Sequence, residues 1–491
     1  MYRIRTTKTK SNATAVQIVD YKDNKKYIVK HIGSAHNKED LDSLKQIAQD
    51  WITIESGEIY IFNKEQFSQD PILNKYQYLG VQYSFSYDIL SHLIRKFNFD
   101  MMGNPILTDL VIMRIIEPTS KLESLKLLYE FFKIKHNRSD YYRSISSILD
   151  QKEDIEKKVV KIAQKHFSFD FSMVFYDVTT LYFESFTPDE LRKLGISKDY
   201  KSNQPQIVIG LMVTRDGFPV SFDVFEGNTF EGNTFIPTIV KFQSTHKIKT
   251  FTIVADAAMI SLKNVTELLV NNLSYIVGAR VANLSMDMIK EISSKLEEVD
   301  LRTIRINTKI GTLICSFSQK RYRKDKREMQ KQILKAKQSI KTKKTKGVKF
   351  VKRITKERQV INTALIEKTT LLLGIKGYYT NLDEESDEVI INHYHDLWHV
   401  EKSFRMAKSD LLARPIYHYK KNAIEAHILI CFMALSICKY MELKSGKSTK
   451  QIVKLFKSVT DAVVLNKVTE ETVVLHQQQT DEIKELWTNF S

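Results

Sequence analysis

Two aspartates lie inside or at the end of apolar segments that are typical of β-strands. Asp177 lies inside FSMVFYDVTTLYF, and Asp256 ends TIVAD. An ionised carboxylate inside an apolar strand is costly unless it is paired or bound to a metal ion, and strand ends in mixed sheets often present ligand groups. For each residue alone, an Asp that only caps a turn is the simpler alternative. Together, the two favour a functional site.

A third acid, Glu401, lies in HYHDLWHVEKSFRMAKSDLLARPIYH, which predicts a long helix that begins near Val389. Because seven residues span two helical turns, this spacing puts one acid and one cation on the same stripe of the helix. The stripe consists of Tyr394, Leu397, Glu401 and Lys408.

Three such carboxylates suit phosphoryl transfer. That reaction uses two metal ions about 4 Å apart, one to activate the attacking oxygen and one to stabilise the leaving oxygen. Hard cations prefer oxygen ligands, so two Asp and one Glu suit Mg²⁺ better than zinc. We predict that Asp177, Asp256 and Glu401 are catalytic and hold two Mg²⁺ ions, with Mn²⁺ as a substitute.

A zinc peptidase is one alternative. His395, Asp396 and His399 form HDLWH, which resembles the zinc-binding HExxH with Asp in place of Glu. The shorter Asp is a poor base at that position, and no downstream third ligand stands out. These histidines then belong to an ordinary helix surface. A second alternative is a DNA-binding protein without catalysis, derived from a nucleic-acid enzyme.

Composition favours a nucleic-acid partner. Lys and Arg number 75 against 58 Asp and Glu among 491 residues, a net charge of +17, which attracts a polyanion; Lys enrichment without any binding partner is the alternative. The three cysteines, Cys315, Cys431 and Cys438, form no disulfide framework or paired zinc spacing. No apolar run reaches the roughly 18 residues of a membrane span. We expect a soluble cytosolic protein with no membrane partner.

The surrounding elements follow from periodicity. TAVQIVDY and KKYIVKHIG predict a hairpin turning at Asp23 and Asn24, followed by a helix from Lys38 to about Ile54. Apolar spacing from Ile106 to Ile116 predicts a one-faced helix that Pro118 stops. Ser120 and Glu123 form a capping box for the next helix, an order that DNA-binding helix-turn-helix units share with ordinary bundles.

The central region reads as three strands, a helix and a strand between Ser168 and Arg280. Asn233 is expected to cap that helix, with Pro237 in its first turn, and the tandem EGNTF repeat at 226–235 is expected to be a loop. A basic insertion follows, whose segment REMQKQILKAKQSIK has helical spacing. LLLGIKGYYTNL then resumes the core as a strand.

Several motifs in this order resemble one family. They are YDVTTLYFE, GISKDYKSNQPQIVIGL, VADAAMIS, ARPIYH and the stripe around Glu401. Between about Ser168 and Tyr440 the chain resembles bacterial insertion-sequence transposases of the DDE type, in the insertion sequence four-like group with a Tyr-x2-Arg-x3-Glu-x6-Lys signature. Leu397 replaces the signature Arg, and Arg405 is the candidate to take its phosphate contact.

This resemblance implies a ribonuclease H-like α/β core, a mixed sheet flanked by helices. Asp177 would lie on its first strand, Asp256 after the fourth and Glu401 on a late helix that follows the insertion. It also implies cleavage at the terminal inverted repeats by water, and then attack of the 3′-hydroxyls on target DNA, within a homodimer on double-stranded DNA. Tyr394 and Lys408 would grip phosphates, and Thr179 would line the site beside Asp177. The expected location is the bacterial cytoplasm, at the nucleoid.

The predicted organisation has six segments, with a mainly helical N-terminal region. They are a hairpin-plus-helix module (1–60), a helical and possible DNA-binding region (61–167), the first part of the core (168–282), the basic insertion (283–363), the second part of the core (364–445) and a helical tail (446–491).

Overall fold

The computed structural model describes residues 2–9, 13–22, 25–55, 75–196, 203–342, 347–355, 359–467 and 469–490. The chain divides into two compact units. The smaller consists of Met1–Gly80 with Ala462–Leu475, and the larger of Val81–Asp461 with His476–Ser491. The six-segment organisation stays a prediction.

The smaller unit begins with an antiparallel sheet covered by a helix. Its elements are β1 (Arg3–Lys8), β2 (Thr14–Lys22), β3 (Lys25–Ala35), α1 (Lys38–Glu55) and β4 (Tyr76–Gln82). Val16 and Ile18 of β2 are buried against Ala48 of α1. The predicted hairpin strands and helix are confirmed, and β1 was not predicted. The turn at Asp23 and Asn24 lies outside the described residues.

The larger unit begins with five helices. They are α2 (Ser84–Lys96), α3 (Pro105–Ile116), α4 (Lys121–Phe132), α5 (Arg138–Asp150) and α6 (Lys152–Phe167). The end of α3 before Pro118 is confirmed, and Ser120 accepts a hydrogen bond from the Glu123 amide at the start of α4. However, α3 is buried on nearly all sides rather than on one face. DNA contact by α3 and α4 stays a prediction.

The predicted order of three strands, a helix and a strand is confirmed. The elements are β5 (Met173–Tyr182), β6 (Gln206–Val213), β7 (Pro219–Glu226), α7 (Glu231–His246) and β8 (Thr252–Ala255), and α8 (Leu262–Val270) and β9 (Ser274–Ala279) follow. β5 to β7 run antiparallel, whereas β8 and β9 lie parallel to β5. Residues 197–202 of the motif GISKDYKSNQPQIVIGL lie outside the described residues.

The start of α7 differs from the prediction. The helix begins at Glu231 after Phe230, so Asn233 is not its cap and Pro237 lies inside the helix. The second EGNTF copy is therefore helical, and only the first copy forms a turn after β7. A tertiary contact accompanies the earlier start, because Thr234 donates to the Glu231 carbonyl and accepts from the buried Tyr176 hydroxyl.

Residues 283–363 are joined to the central sheet. The next elements are α9 (Met286–Leu296), β10 (Thr303–Thr308), β11 (Gly311–Phe317), α10 (Gln319–Lys341), β12 (Val351–Arg353), β13 (Gln359–Ile361), α11 (Thr363–Leu371) and β14 (Ile375–Thr380). The helix and the strand predicted from REMQKQILKAKQSIK and LLLGIKGYYTNL are confirmed as α10 and β14. The sheet order is β10-β11-β14-β9-β8-β5-β6-β7. The expected insertion thus supplies two strands to a large mixed sheet flanked by helices.

The chain ends with α12 (Asp387–His395), α13 (Trp398–Ser409), α14 (Lys421–Ser445), α15 (Thr449–Ser458), β15 (Asp461–Asn466), β16 (Thr472–Leu475) and α16 (Asp481–Phe490). The expectation of a wholly helical tail is wrong, because β15 pairs with both β16 and β4.

Helix α14 also corrects the expectation about apolar runs. By length and composition it is apolar enough to cross a membrane, the one such helix among the described residues. However, 94% of its most apolar window is buried within the protein. A core helix has the same properties, so this helix is weak evidence for a membrane span.

Candidate active site

Asp177 and Asp256 lie side by side on neighbouring parallel strands. Tyr176 of β5 is paired with Ala255 of β8. The residues that follow this pair are Asp177 and Asp256. Neighbouring strands lie about 4.8 Å apart. Asp177 is half-buried and Asp256 is exposed at the end of its strand. The sequence prediction of a strand aspartate and a strand-end aspartate is confirmed.

Backbone and side-chain donors hold both carboxylates. Asp177 Oδ1 accepts from the Val178 amide at 2.7 Å, and Asp256 Oδ1 accepts from the Ala257 amide at 2.7 Å. The Tyr394 hydroxyl donates to the same oxygen of Asp256 at 3.2 Å. Hydrogen bonds to an ionised carboxylate are stronger than neutral ones, so these donors fix the orientation of the Asp256 carboxylate.

Tyr394 lies on α12, and its ring is buried. Its ring packs edge-on against Tyr378 of β14 with centroids 4.9 Å apart. Burial, and then the negative charge of Asp256, raise the pKa of Tyr394. The hydroxyl therefore keeps its proton at neutral pH and acts as a donor.

Lys376 of β14 lies against the tyrosine that donates to Asp256. Its ammonium lies 4.4 Å above the centre of the Tyr394 ring. Burial lowers the pKa of Lys376, while the charges of both Asp256 and Glu401 oppose that shift. Both carboxylates therefore act electrostatically on Lys376. We did not predict Lys376; the available signal was a single cation inside the apolar strand LLLGIKGYYTNL.

The predicted long helix is broken between α12 and α13. Asp396 and Leu397 form a turn, where the Val400 amide donates to the Leu397 carbonyl three residues earlier. Arg215, from the turn between β6 and β7, donates to Asp396 at 2.8 Å. Tyr394 and Glu401 thus lie on different helices, and the predicted four-residue stripe is wrong.

Glu401, Arg405 and Lys408 follow one another along α13 at spacings of four and three residues, which share a helix face. Glu401 and Arg405 are exposed, and Lys408 is half-buried. Glu401 lies in the first turn, where a negative charge is favourable. Thr179 lies two residues after Asp177 but is only 6% exposed, and it lines a small apolar cavity together with Lys408. Thr179 is therefore not open to solvent, and its role beside Asp177 stays a prediction.

The donor chemistry fits a hard divalent cation, since the three acids offer only oxygen ligands. The side chains as placed do not close around one ion: across the described ranges, no group of three or more His, Cys, Asp or Glu could hold a metal. The structure therefore brings Asp177 and Asp256 together but does not join Glu401 to them in one metal-binding group of described residues.

The zinc alternative fails on the same geometry. The break at Asp396 removes the regular helical spacing between His395 and His399. Asp396 is engaged by Arg215, and the His399 ring stacks on Trp398 at 3.9 Å. Within the described part of the chain, HDLWH forms no metal cluster.

Comparison with known proteins gives one family match. Residues 172–437 match the family described as "Transposase DDE domain", a range that contains all three acids. No curated protein matches the sequence.

Two solved structures show distant likeness. A cryo-EM structure of the piggyBac transposase synaptic complex with hairpin DNA is 11% identical, with a TM-score of 0.40 over 87% of this chain and 84% of that chain. The Mos1 transposase paired-end complex with left transposon end is 11% identical, with a TM-score of 0.16 over 47% of this chain and 66% of that one. Both scores are too low to support a fold assignment.

Proposed function

The chain belongs to the transposase DDE domain family, whose match spans more than half of its length, and from this premise we propose that it cuts and joins DNA at the ends of an insertion sequence. Asp177, Asp256 and Glu401 are its catalytic residues. The observation that carries the proposal is the placement of Asp177 beside Asp256 by strand register, and Glu401 lies on α13 within the same family match.

The strand order supports a ribonuclease H-like core. β7-β6-β5-β8-β9 form a continuous part of the sheet, in which the first three strands are antiparallel and the last two are parallel to β5. Asp177 lies on the first of these strands along the chain, Asp256 follows the fourth, and Glu401 lies on a late helix. This is the arrangement that the resemblance to insertion-sequence transposases implies.

The three acids would hold two Mg²⁺ ions, for which Mn²⁺ is the expected substitute. When bound, such ions activate the attacking oxygen and stabilise the leaving oxygen. The chain's own groups prepare the ligands: Tyr394 orients one oxygen of Asp256, and Lys376 balances the negative charge of Asp256 and Glu401. Binding requires the exposed Glu401 side chain to turn towards the aspartates.

Double-stranded DNA, at the element's ends and at the target, is the proposed partner. Helix α10 carries ten Lys or Arg and only two acids, and just two of its side chains are buried. Such an exposed cationic helix attracts the phosphate backbone. Tyr394, Arg405 and Lys408 are proposed to contact phosphates nearer the acids. The working form is a homodimer on paired ends, as the resemblance implies.

The experiment uses a labelled DNA fragment that carries the element's own ends. Purified protein is incubated with this fragment in Mg²⁺ or in EDTA, and an unrelated duplex serves as the control. We expect nicking at the ends that requires Mg²⁺. Binding to the ends without any nicking in Mg²⁺ would reject the enzyme and leave a non-catalytic DNA-binding protein.

Removing the Tyr394 hydroxyl tests the organisation of Asp256. Tyr394→Phe should lower Mg²⁺-dependent nicking by roughly ten- to a hundredfold, because a hydrogen bond to a charged group contributes roughly 1.5–3 kcal/mol. Gly278→Ala should do the same without altering the tyrosine, since an added Cβ would lie 2.4 Å from that hydroxyl. Initial rates of nicking measure both effects.

The matched control is Tyr379→Phe, which removes a hydroxyl from another buried tyrosine of the same sheet. This variant should nick at the wild-type rate. Equal rates for Tyr394→Phe and Tyr379→Phe would show that the bond to Asp256 contributes nothing to the reaction.

A further inference from the structure

A large basic cavity lies apart from the three acids. It has a volume of about 920 Å³ and lies between the start of α4, helix α5 and the segment that follows α13. Its cationic side chains are Arg114, Lys121, Arg138, Arg143, Arg414 and Lys420. None of the described residues that line it is an Asp or Glu, although Arg143 pairs with Asp140 beside it. The described lining of the cavity therefore carries a net positive charge.

Lys121 is the most unusual of these side chains. It is only 6% exposed, and its ammonium has no hydrogen-bond partner among the described residues. Burial, and then the charge of Arg114, lower its pKa. A buried amine without a partner is costly, so this position is unfavourable unless an anion completes it.

Arg114 is buried beside it. This side chain is 3% exposed. One terminal nitrogen lies at the edge of hydrogen-bonding range of the Leu411 and Leu412 carbonyls, at 3.4 and 3.5 Å, while Nε has no partner in the described part of the chain. Ser120 and Lys121 also place the start of α4, with its partial positive charge, in the cavity wall. All three features favour the same ligand, an anion with several oxygens.

Aromatic rings surround the mouth of the cavity. Tyr417 and Tyr419 are 62% and 64% exposed, and Tyr142 is also exposed, yet all three line the cavity. The Arg138 guanidinium lies over the Tyr142 ring at 5.4 Å. Exposed rings interleaved with cations are typical of sites for single-stranded nucleic acid, where bases stack on the rings.

The cavity is connected to the strand that carries Asp177. Phe183, the residue after β5, forms a parallel β-bridge with Ile416. The two neighbours of Ile416 in the chain, Pro415 and Tyr417, line the cavity. Phe183 lies six positions after Asp177, so the two residues are about 20 Å apart along this strand. A DNA strand that leaves the acids can therefore reach the cavity.

We propose that this cavity binds an unpaired segment of DNA, with Lys121 and Arg114 holding a phosphate and the tyrosines at the mouth stacking on its bases. A phosphate offers enough oxygens for both cations and the start of α4, which a single carboxylate does not. The identity of the strand as DNA rests on the proposed function; the phosphate site rests on the cavity alone.

The test is binding of a fluorescent oligodeoxythymidylate to the full chain in EDTA, measured by anisotropy. Lys121→Met should weaken binding about tenfold or more, because one hydrogen bond to a charged group is lost. Its melting temperature should not fall, since the variant removes a buried amine without a partner. Tyr417→Ala, at an exposed position that does not threaten folding, should weaken binding about fivefold or more.

The matched control is Lys126→Met on the same helix, where the side chain is 64% exposed. It should bind the oligonucleotide within about twofold of wild type. Wild-type affinity in both Lys121→Met and Tyr417→Ala would overturn the proposal.

Two further measurements distinguish a phosphate of single-stranded DNA from a phosphate of duplex DNA and from free phosphate. If the matching duplex binds as tightly as the single strand and is equally weakened by Lys121→Met, the assignment to an unpaired strand is wrong. If inorganic phosphate raises the melting temperature of wild type but not of Lys121→Met, while oligonucleotide affinity is unchanged in the variant, the site is for free phosphate and the DNA assignment is wrong.

Nicking of the element's ends by wild type is scored separately. Loss of oligonucleotide binding in Lys121→Met together with no nicking by wild type would reject the proposed function and keep the cavity. Normal nicking by wild type together with wild-type oligonucleotide affinity in Lys121→Met would support the proposed function and reject the cavity as a binding site.

Discussion

Asp256→Asn is expected to reduce nicking of the element's ends at least about a thousandfold and to leave DNA binding unchanged. The carboxylate lies beside Asp177, at the end of a central strand of the sheet, and losing a metal ligand removes several kcal/mol of transition-state stabilisation. Asn keeps the size of the side chain and an oxygen that accepts from the Tyr394 hydroxyl. The measurements are the nicking rate in Mg²⁺ and the dissociation constant for the ends in EDTA.

The matched control is Asp216→Asn, in the exposed turn between β6 and β7. It removes the same charge from another strand-flanking aspartate, so it should nick at the wild-type rate. If both variants lost activity equally, net charge would explain the effect. If Asp256→Asn stayed active, Asp256 would not belong to the catalytic site.

Gly227→Ala is expected to lower the free energy of unfolding by at least about 3 kcal/mol. An added Cβ would lie 1.9 Å from the Gln206 carbonyl oxygen and 2.5 Å from that of Lys193. Both are backbone atoms, so the main chain at Gly227 lies directly against the main chain at Gln206 and Lys193. The Gln206 side chain also donates to the Gly227 carbonyl at 2.8 Å. A side-chain rotation cannot relieve this clash between backbone atoms and the added Cβ. Urea unfolding measures the loss.

The repeated EGNTF motif provides the control. In its second copy, Gly232 lies in the first turn of α7, and an added Cβ would be 3.0 Å from the nearest atom, a carbon of the Phe230 ring. Ala favours a helix by roughly 0.5–1 kcal/mol over Gly, which offsets this crowding, so Gly232→Ala should be close to neutral. Equal unfolding midpoints for the two variants would contradict the close backbone contact at Gly227.

Local pattern was enough to predict the positions of Asp177 and Asp256. Both depend on short apolar segments, and a strand's alternation and end are properties of a few neighbouring residues. The helix α10 and the strand β14 were predictable for the same reason.

Features that depend on distant partners were not predictable. The break at Asp396 is accompanied by a contact with Arg215, 181 residues earlier. The addition of β10 and β11 to the sheet depends on pairing with β14, which follows the long helix α10. The role of Lys376 depends on its contact with the Tyr394 ring, which comes from another element. No local spacing in the sequence reports such contacts.

The most direct test of the metal-dependent site is the metal preference of Asp256→Cys. Wild type should nick the element's ends in Mg²⁺ and in Mn²⁺. The variant should be inactive in Mg²⁺ and recover activity in Mn²⁺, because a thiolate binds a hard ion poorly and accepts a softer one better. Nicking by Asp256→Cys at the wild-type rate in Mg²⁺, or nicking by wild type in EDTA, would contradict a metal site at Asp256.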